Sequence, residues 1–288
     1  MKIGFVGLGN MGAPMAANLA KHHDVIGFDP VARPGGLTLA DSAADAARDA
    51  DVVITMLPDG DILRAVTAEI HPVMRKGAIH LDCSTVDVES ARAVAMSAQK
   101  AGLSAIDAPV SGGIGGATNG TLTFMAGGPG PAFQTVTPLF DIMGQKAVHC
   151  GEAGNGQAAK ICNNMILGVT MIATCEAFVL ADRLGLDRQA MFDVVSTSSG
   201  SSWSMNTYCP APGVGPQSPA DNDYQPGFAA DLMLKDLRLS QIAAEAAGAD
   251  TPMGELAATL YRHFVEAENG AGKDFSAMLS RFEERRRP

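Results

Sequence analysis

The chain has 288 residues, with 31 acidic against 21 basic side chains and a net charge of −10. Such a surface repels polyanions, so nucleic acid is not an expected partner. Apolar residues make up 47%, charged residues 18% and aromatic residues 5%, ordinary globular usage in which aliphatic side chains and methionine fill the core. A chain of this length is expected to form two domains, or one domain with a large appendage.

The N-terminus enters an apolar run at Ile3 that Gly7 interrupts, too short for a signal-peptide core, so a cytoplasmic, unprocessed protein is expected. The five cysteines, Cys83, Cys150, Cys162, Cys175 and Cys209, are scattered, with no C-x-x-C pair and no histidine at zinc-finger spacing. That pattern predicts reduced thiols and no structural metal. The six histidines share no visible constellation and read as surface or core residues.

Residues 2–6 read as a short buried strand, followed by Gly7-Leu8-Gly9-Asn10-Met11-Gly12 and a helical stretch over 13–21. A second strand over 24–28 ends in Asp29, seventeen residues beyond Gly12. A bare G-x-G-x-x-G is weak evidence, but strand, turn, helix and downstream acid together are the fingerprint of a dinucleotide site. Gly7 permits the tight turn, Gly9 lets the backbone approach a pyrophosphate, and Gly12 lets helix and strand pack closely. The helix N-terminus then offers unpaired N–H groups to the anion. A carboxylate at Asp29 accepts from a free ribose 2′-hydroxyl and repels a 2′-phosphate, which favours NAD over NADP. Arg33, four residues on, is a possible phosphate partner in the other direction.

Further strand-like runs over 52–57, 78–82, 105–107, 121–126 and 147–150 alternate with Ala-rich helical segments, which predicts a doubly wound, mostly parallel sheet. Met56-Leu57-Pro58-Asp59 and Cys83-Ser84-Thr85 fall at the carboxyl ends of strands, either as cofactor-edge loops or as ordinary strand-exit turns. Ser111-Gly112-Gly113-Ile114-Gly115-Gly116 is glycine-dense, either a backbone nest for a carboxylate or a flexible turn.

From 157 to 184 the pattern is helical almost without interruption, a rod of roughly 40 Å. Lys160, Asn163 and Asn164 on one side and Glu176 on the other bound an apolar run too short for a membrane span, so a buried spine is expected and no membrane. Lys160, Asn164, Leu167, Met171, Cys175 and Phe178 share one face. Burial there would disfavour an ammonium and lower its pKa from about 10.4 toward the range useful for proton transfer; the alternative is a lysine whose stem snorkels to water. Lys235 repeats the theme, at three- and four-residue spacing from Leu232, Leu239, Ile242 and Ala246, with Asp236 beside it as a possible ion-pair partner. Between Trp203 and Phe228 lies a Pro/Gly-rich loop much longer than the usual connection. Amphipathic helices over 253–267 and 275–287 close the chain, with Arg285-Arg286-Arg287 as a solvated end.

Taken together these residues resemble the β-hydroxyacid dehydrogenase family. The marks are Gly7 through Gly12, Met56-Leu57-Pro58, Ser111-Gly112-Gly113 through Gly120-Thr121-Leu122-Thr123-Phe124, Gly154-Asn155-Gly156 through Lys160 to Asn164, and Lys235-Asp236-Leu237. The resemblance spans essentially the whole chain. It implies a Rossmann domain over 1–161 and an all-helical domain over 162–288, joined by a long helix, in a homodimer or homotetramer. It also implies that Lys160 is the general acid/base, that Asn164 helps bind substrate, and that the backbone around Ser111, Gly112 and Gly113 holds the substrate carboxylate. NAD would be bound by Gly7, Gly9, Asn10, Met11, Gly12, Asp29, Leu57, Pro58, Ile62 and Thr85, with Phe228 and Lys235 beside the nicotinamide. The loop from Tyr208-Cys209-Pro210 to Asn222-Asp223-Tyr224-Gln225, then Gly227-Phe228, resembles the branch acting on 3-hydroxyisobutyrate. The expected reaction is its oxidation to methylmalonate semialdehyde, a step of valine breakdown. Another small β-hydroxy acid (tartronate semialdehyde, serine, 3-hydroxypropionate) or a non-catalytic dinucleotide sensor are the competing readings.

Overall fold

Alternation of short apolar strands with amphipathic helices governs the first 107 residues of the computed structural model, which describes residues 1–284. The expected arginine-rich end at Arg285, Arg286 and Arg287 lies outside the described residues. The chain divides into two units, Met1–Lys160 and a second beginning at Ile161.

In the first unit β1 (Lys2–Val6), α1 (Gly12–Ala20), β2 (Asp24–Phe28), β3 (Thr38–Leu39), α2 (Ala43–Ala47), β4 (Val52–Thr55), α3 (Gly60–Ile70), β5 (Ile79–Asp82), α4 (Val88–Lys100) and β6 (Ser104–Asp107) follow one another. The six strands form one parallel sheet in the order β3-β2-β1-β4-β5-β6. This is the doubly wound sheet that the alternation predicts, with its order reversing between β1 and β4. Helices cover both faces, so successive side chains enter different cores: Phe5 and Ile54 pack in one, Val6 and Val53 in the other.

Two of the expected strands belong elsewhere. β7 (Val110–Ser111), β8 (Leu122–Ala126) and β9 (Gly144–His149), with α5 (Gly113–Asn119) and α6 (Gly130–Met143), build a separate three-stranded sheet. β7 pairs antiparallel with β8, and β8 parallel with β9. The turn expected at 111–116 becomes a helix start, with Gly112 at φ +132° and Gly113 at φ +60°, values that L side chains rarely adopt.

A polar chain lies buried at the carboxyl end of β4 and β5. His71 Nε2 and His80 Nδ1 are 2.9 Å apart, and His80 Nε2 lies 3.0 Å from Thr55 Oγ1. Thr55 and Ser84 hydroxyls donate to Asp82 Oδ1 at 2.7 and 2.6 Å. Two of the six histidines therefore do share a constellation, invisible in a sequence where they stand nine positions apart on different elements. Burial lowers His71 to about 4; it lowers His80 to about 3, with His71 adding to the effect.

The second unit carries the rest of α7 (Asn155–Leu184), then α8 (Arg188–Val195), α9 (Trp203–Asn206), α10 (Ala230–Ala247), α11 (Pro252–Ala267) and α12 (Met278–Glu284). By length and composition α7 could cross a membrane, with a mean hydropathy of 1.7 over 18 residues, so its flanking polar residues do not shorten the run as expected. Its stripe of Met171, Cys175 and Phe178 is buried in the core of this unit, which accounts for the apolarity of that face. The long loop 207–228 is tied down by Asp274, whose carboxylate accepts from Tyr208 Oη at 2.8 Å, from Gly227 N and Phe228 N at 3.0 Å each, and from Ser276.

Burial pushes Asp82 up from 3.8 to about 6, against the hydrogen bonds of Ser84 and Thr55. Between those values the folded chain holds a proton that the unfolded chain has released, so this contribution to stability falls as pH rises from about 4 to about 6 and stays low above. Asp82→Asn removes the titration. The stability difference, variant minus parent, is expected to rise by up to about 3 kcal/mol between pH 4 and 7 in urea unfolding; a difference independent of pH would contradict the assignment.

Candidate active site

The glycine turn after β1 has three glycines with three different reasons. Gly7 sits at φ +98°, donates to Phe28 O at 2.9 Å, and has Met56 O 2.2 Å from where a Cβ would stand. A Cβ on Gly12 would lie 1.8 Å from Gly7 O, so strand and helix require its absence. Gly9 is different, because a Cβ there would meet nothing within 4 Å. No internal packing demands glycine at that position, and its open side is a cradle for an approaching ligand. Asn10 is exposed and Met11, the N-cap of α1, supplies no side-chain hydrogen bond; no acid occupies the first turn. The N-terminal N–H groups of α1 are therefore suited to a pyrophosphate.

Asp29 follows β2. Its Oδ2 accepts from Leu8 N, inside the glycine turn, and its Oδ1 from Val31 N and Ala32 N, all at 2.8 Å. Partial burial works to raise its pKa, but the backbone bonds from Ala32, Val31 and Leu8, with Arg33 nearby, outweigh it and hold the carboxyl below its usual range. The Arg33 guanidinium donates to the carbonyls of Asp29 and Ala32, which turns its charge onto the backbone. After β4, Leu57 N donates to Ser84 Oγ at 2.8 Å, Pro58 is exposed, and Asp59 caps α3 through Ile62 N, leaving Ile62 41% exposed in the first turn. Thr85 follows β5 and is half-buried. Gly7 to Gly12, Asp29, Leu57 to Ile62 and Thr85 thus share the carboxyl edge of one parallel sheet, flanking the point where its order reverses.

The start of α7 is pressed against the same unit. Gly154 is at φ +87°, and a Cβ on Gly156 would stand 2.3 Å from Met125 O. Asp107, at the end of β6, accepts from Gly154 N at 2.7 Å and Gln157 N at 3.0 Å. Burial raises Asp107 to about 6, against those backbone bonds. Lys160 is 7% exposed, and its Nζ donates to Val110 O at 2.9 Å. Ser111 and Gly112 come directly after that carbonyl, so the first unit brings together the amine and the backbone expected to hold a carboxylate.

Asn164, Phe228 and Lys235 belong to the second unit. Asn164 is buried one turn further along α7; its Oδ1 accepts from Asn163 Nδ2 at 2.8 Å and its Nδ2 donates to Asp236. Asp236 is buried with that partner, which the sequence does not reveal. Phe228 is half-buried and meets Phe275 edge-on, with ring centroids 5.6 Å apart. The stripe of Leu232, Lys235 and Ile242 is not the buried face of α10: Leu232 is 49% and Ile242 56% exposed, while Met233, Leu234 and Leu237 enter the core. α10 is apolar on more than one side, so spacing alone selects the wrong face. Asp107, Gln157 and Asp274, which organise these surroundings, are isolated polar residues that no sequence pattern singled out.

A Rossmann sheet with an open glycine turn, a ribose-edge acid and a buried lysine at a helix start defines a dinucleotide-dependent oxidoreductase. The family model described as the NAD binding domain of 6-phosphogluconate dehydrogenase matches residues 2–151, and that described as NAD-binding of NADP-dependent 3-hydroxyisobutyrate dehydrogenase matches 154–282. A probable 3-hydroxyisobutyrate dehydrogenase of Mycobacterium tuberculosis is 47% identical over 96% of both chains. An NAD-dependent L-serine dehydrogenase of Pseudomonas aeruginosa is 43% identical over 98% of both. A solved structure of the M. tuberculosis 3-hydroxyisobutyrate dehydrogenase with L-serine superposes with a TM-score of 0.93 at 45% identity, covering 97% of this chain and 98% of that one. The chain belongs to the 3-hydroxyisobutyrate dehydrogenase family of β-hydroxyacid dehydrogenases, and it is an NAD-dependent oxidoreductase of that class.

One of the matching descriptions names NADP, whereas Asp29 presents a carboxylate where the fold reads the ribose 2′ position. Asp29→Ala is expected to raise the NADP-to-NAD ratio of kcat/KM by at least about tenfold, through relief of charge repulsion. Steady-state rates with each cofactor check this, and an unchanged ratio would remove Asp29 from cofactor choice.

Proposed function

We propose that the chain oxidises 3-hydroxyisobutyrate to methylmalonate semialdehyde, with Lys160 as the general acid/base, and serves valine breakdown in the cytoplasm. The observation that carries this reading is the buried Lys160 Nζ bonded to Val110 O, one residue before the Ser111-Gly112-Gly113 backbone. The substrate carboxylate is held by main-chain N–H groups of Ser111, Gly112 and Gly113, and Asn164 orients the substrate. Phe228 and Lys235 line the nicotinamide side. When bound, NAD supplies the acceptor for the hydride that leaves the carbinol carbon. Lys160, uncharged in the reacting state, takes the hydroxyl proton as the carbonyl forms and returns it to solvent after the aldehyde departs. The balance is alcohol plus NAD⁺ to aldehyde, NADH and one proton.

L-Serine is a second substrate reading, supported by the L-serine dehydrogenase relative and by the neighbour structure containing L-serine. The two molecules share a hydroxymethyl group and a carboxylate and differ in methyl against ammonium. Homo-oligomerisation belongs to the same proposal, supported by the exposed apolar side chains Ile166, Leu180, Leu184 and Val194.

Lys160→Ala is expected to lower kcat by about 10² to 10⁴ while leaving NAD affinity nearly intact. Initial rates with 3-hydroxyisobutyrate, L-serine, glycerate and 3-hydroxypropionate, each with NAD, test both assignments. The first should give the highest kcat/KM; a higher value for L-serine would replace the substrate, and unchanged turnover in the variant would replace the base.

A further inference from the structure

Three residues before Lys160, the Gln157 side chain is completely buried and its carboxamide is bonded at both ends. Nε2 donates to Ser84 O at 2.8 Å, and Oε1 accepts from Val86 N at 3.1 Å. The residue between those two peptide groups is Thr85, assigned above to the cofactor. One side chain thus grips the backbone on either side of Thr85, as a neighbouring strand would. The main chain of Gln157 is in turn held by Asp107, and the next helical turn carries Lys160, whose Nζ is fixed on Val110 O.

Helix capping does not require this carboxamide, because Asp107 already accepts the N–H groups of Gly154 and Gln157. Filling the space does not require it either, since an unbranched apolar side chain of similar length would pack there. What only an amide does is satisfy a carbonyl and an N–H two residues apart on the loop after β5. That loop is already engaged from its other side, where Leu57 N donates to Ser84 Oγ. The two cofactor-edge loops and the lysine therefore share one continuous hydrogen-bonded frame.

We propose that Gln157 is a positioning residue that locks the cofactor-contacting loop at Thr85 to the start of the helix bearing Lys160, so that dinucleotide and proton acceptor are held in one register. The inference rests on the assignment of Lys160 as acid/base. Gln157→Met removes both bonds and keeps the length. It is expected to lower kcat by about 10- to 100-fold, as small misplacements of a reacting group do, with substrate KM changed by less than about twofold. In a Lys160→Ala background the same substitution should cost no further turnover, because nothing remains to be positioned. Equal losses in both backgrounds, or wild-type kcat in the single variant, would overturn the inference while leaving the lysine's role intact. Full turnover in Lys160→Ala alone would instead overturn that role and the inference with it. Gln157→Glu guards against misfolding: it donates to Ser84 O only when protonated, so its kcat should recover toward the parent value as pH falls. A deficit independent of pH, in protein with a parental thermal midpoint, would also count against the proposal.

Discussion

The docking of one helix start onto two strand exits is the constraint on which the first unit's site depends. α7 begins where Gly154 N and Gln157 N meet the Asp107 carboxylate, and the contact is so close that Gly127 and Gly156 have no room for a Cβ. A carboxylate at that point satisfies N–H groups that a helix leaves unpaired and complements the positive end of its dipole. Because the chain runs on from Asp107, the last residue of β6, through Pro109 to Val110, the first of β7, the acid that seats the helix and the carbonyl that receives Lys160 are three residues apart. Lys160 and the Ser111-Gly112-Gly113 backbone are therefore brought together by one short segment.

The helix ends of the Rossmann sheet divide by task. α2, α3 and α4 are each closed by their own side chain, Ser42, Asp59 and Asp87. α1, following the glycine turn, is not. Capping typically contributes about 0.5–2 kcal/mol, and an uncapped, acid-free helix start directly after the glycine turn is suited to an anion in that role. Asp29 completes the arrangement: its bond to Leu8 N ties the ribose-edge acid to the glycine turn itself.

Much of this was legible because it is local. The turn from Gly7 to Gly12, the strand ending at Asp29 and the stripe of Lys160, Asn164, Leu167, Met171, Cys175 and Phe178 are periodicities within one or two elements, and the stripe is buried apart from Leu167, which is half-buried. What sequence alone missed is non-local or too short to have a period. β3 and β7 are two residues each, and the antiparallel pairing of β7 with β8 that creates a second sheet joins residues twelve or more positions apart, with a short helix between them. α5 forms from a Gly-rich stretch of poor helix propensity, where tertiary packing overrides composition. Asp107, Gln157, Asp82 and Asp274 are single polar residues with partners that lie 27 to 73 positions away. The stripe of Leu232, Lys235 and Ile242 reads as the core face for the opposite reason, since α10 offers more than one apolar spacing and only packing selects between them.

The central claim is that the buried amine of Lys160 is the group that meets the substrate hydroxyl. A crystal structure with NADH and 3-hydroxyisobutyrate tests it most directly. The account predicts Lys160 Nζ within about 2.6–3.2 Å of the hydroxyl oxygen, with the carboxylate on the main-chain N–H groups of Ser111, Gly112 and Gly113. A hydroxyl bound out of reach of Nζ, with another side chain or solvent as its nearest proton acceptor, would contradict it.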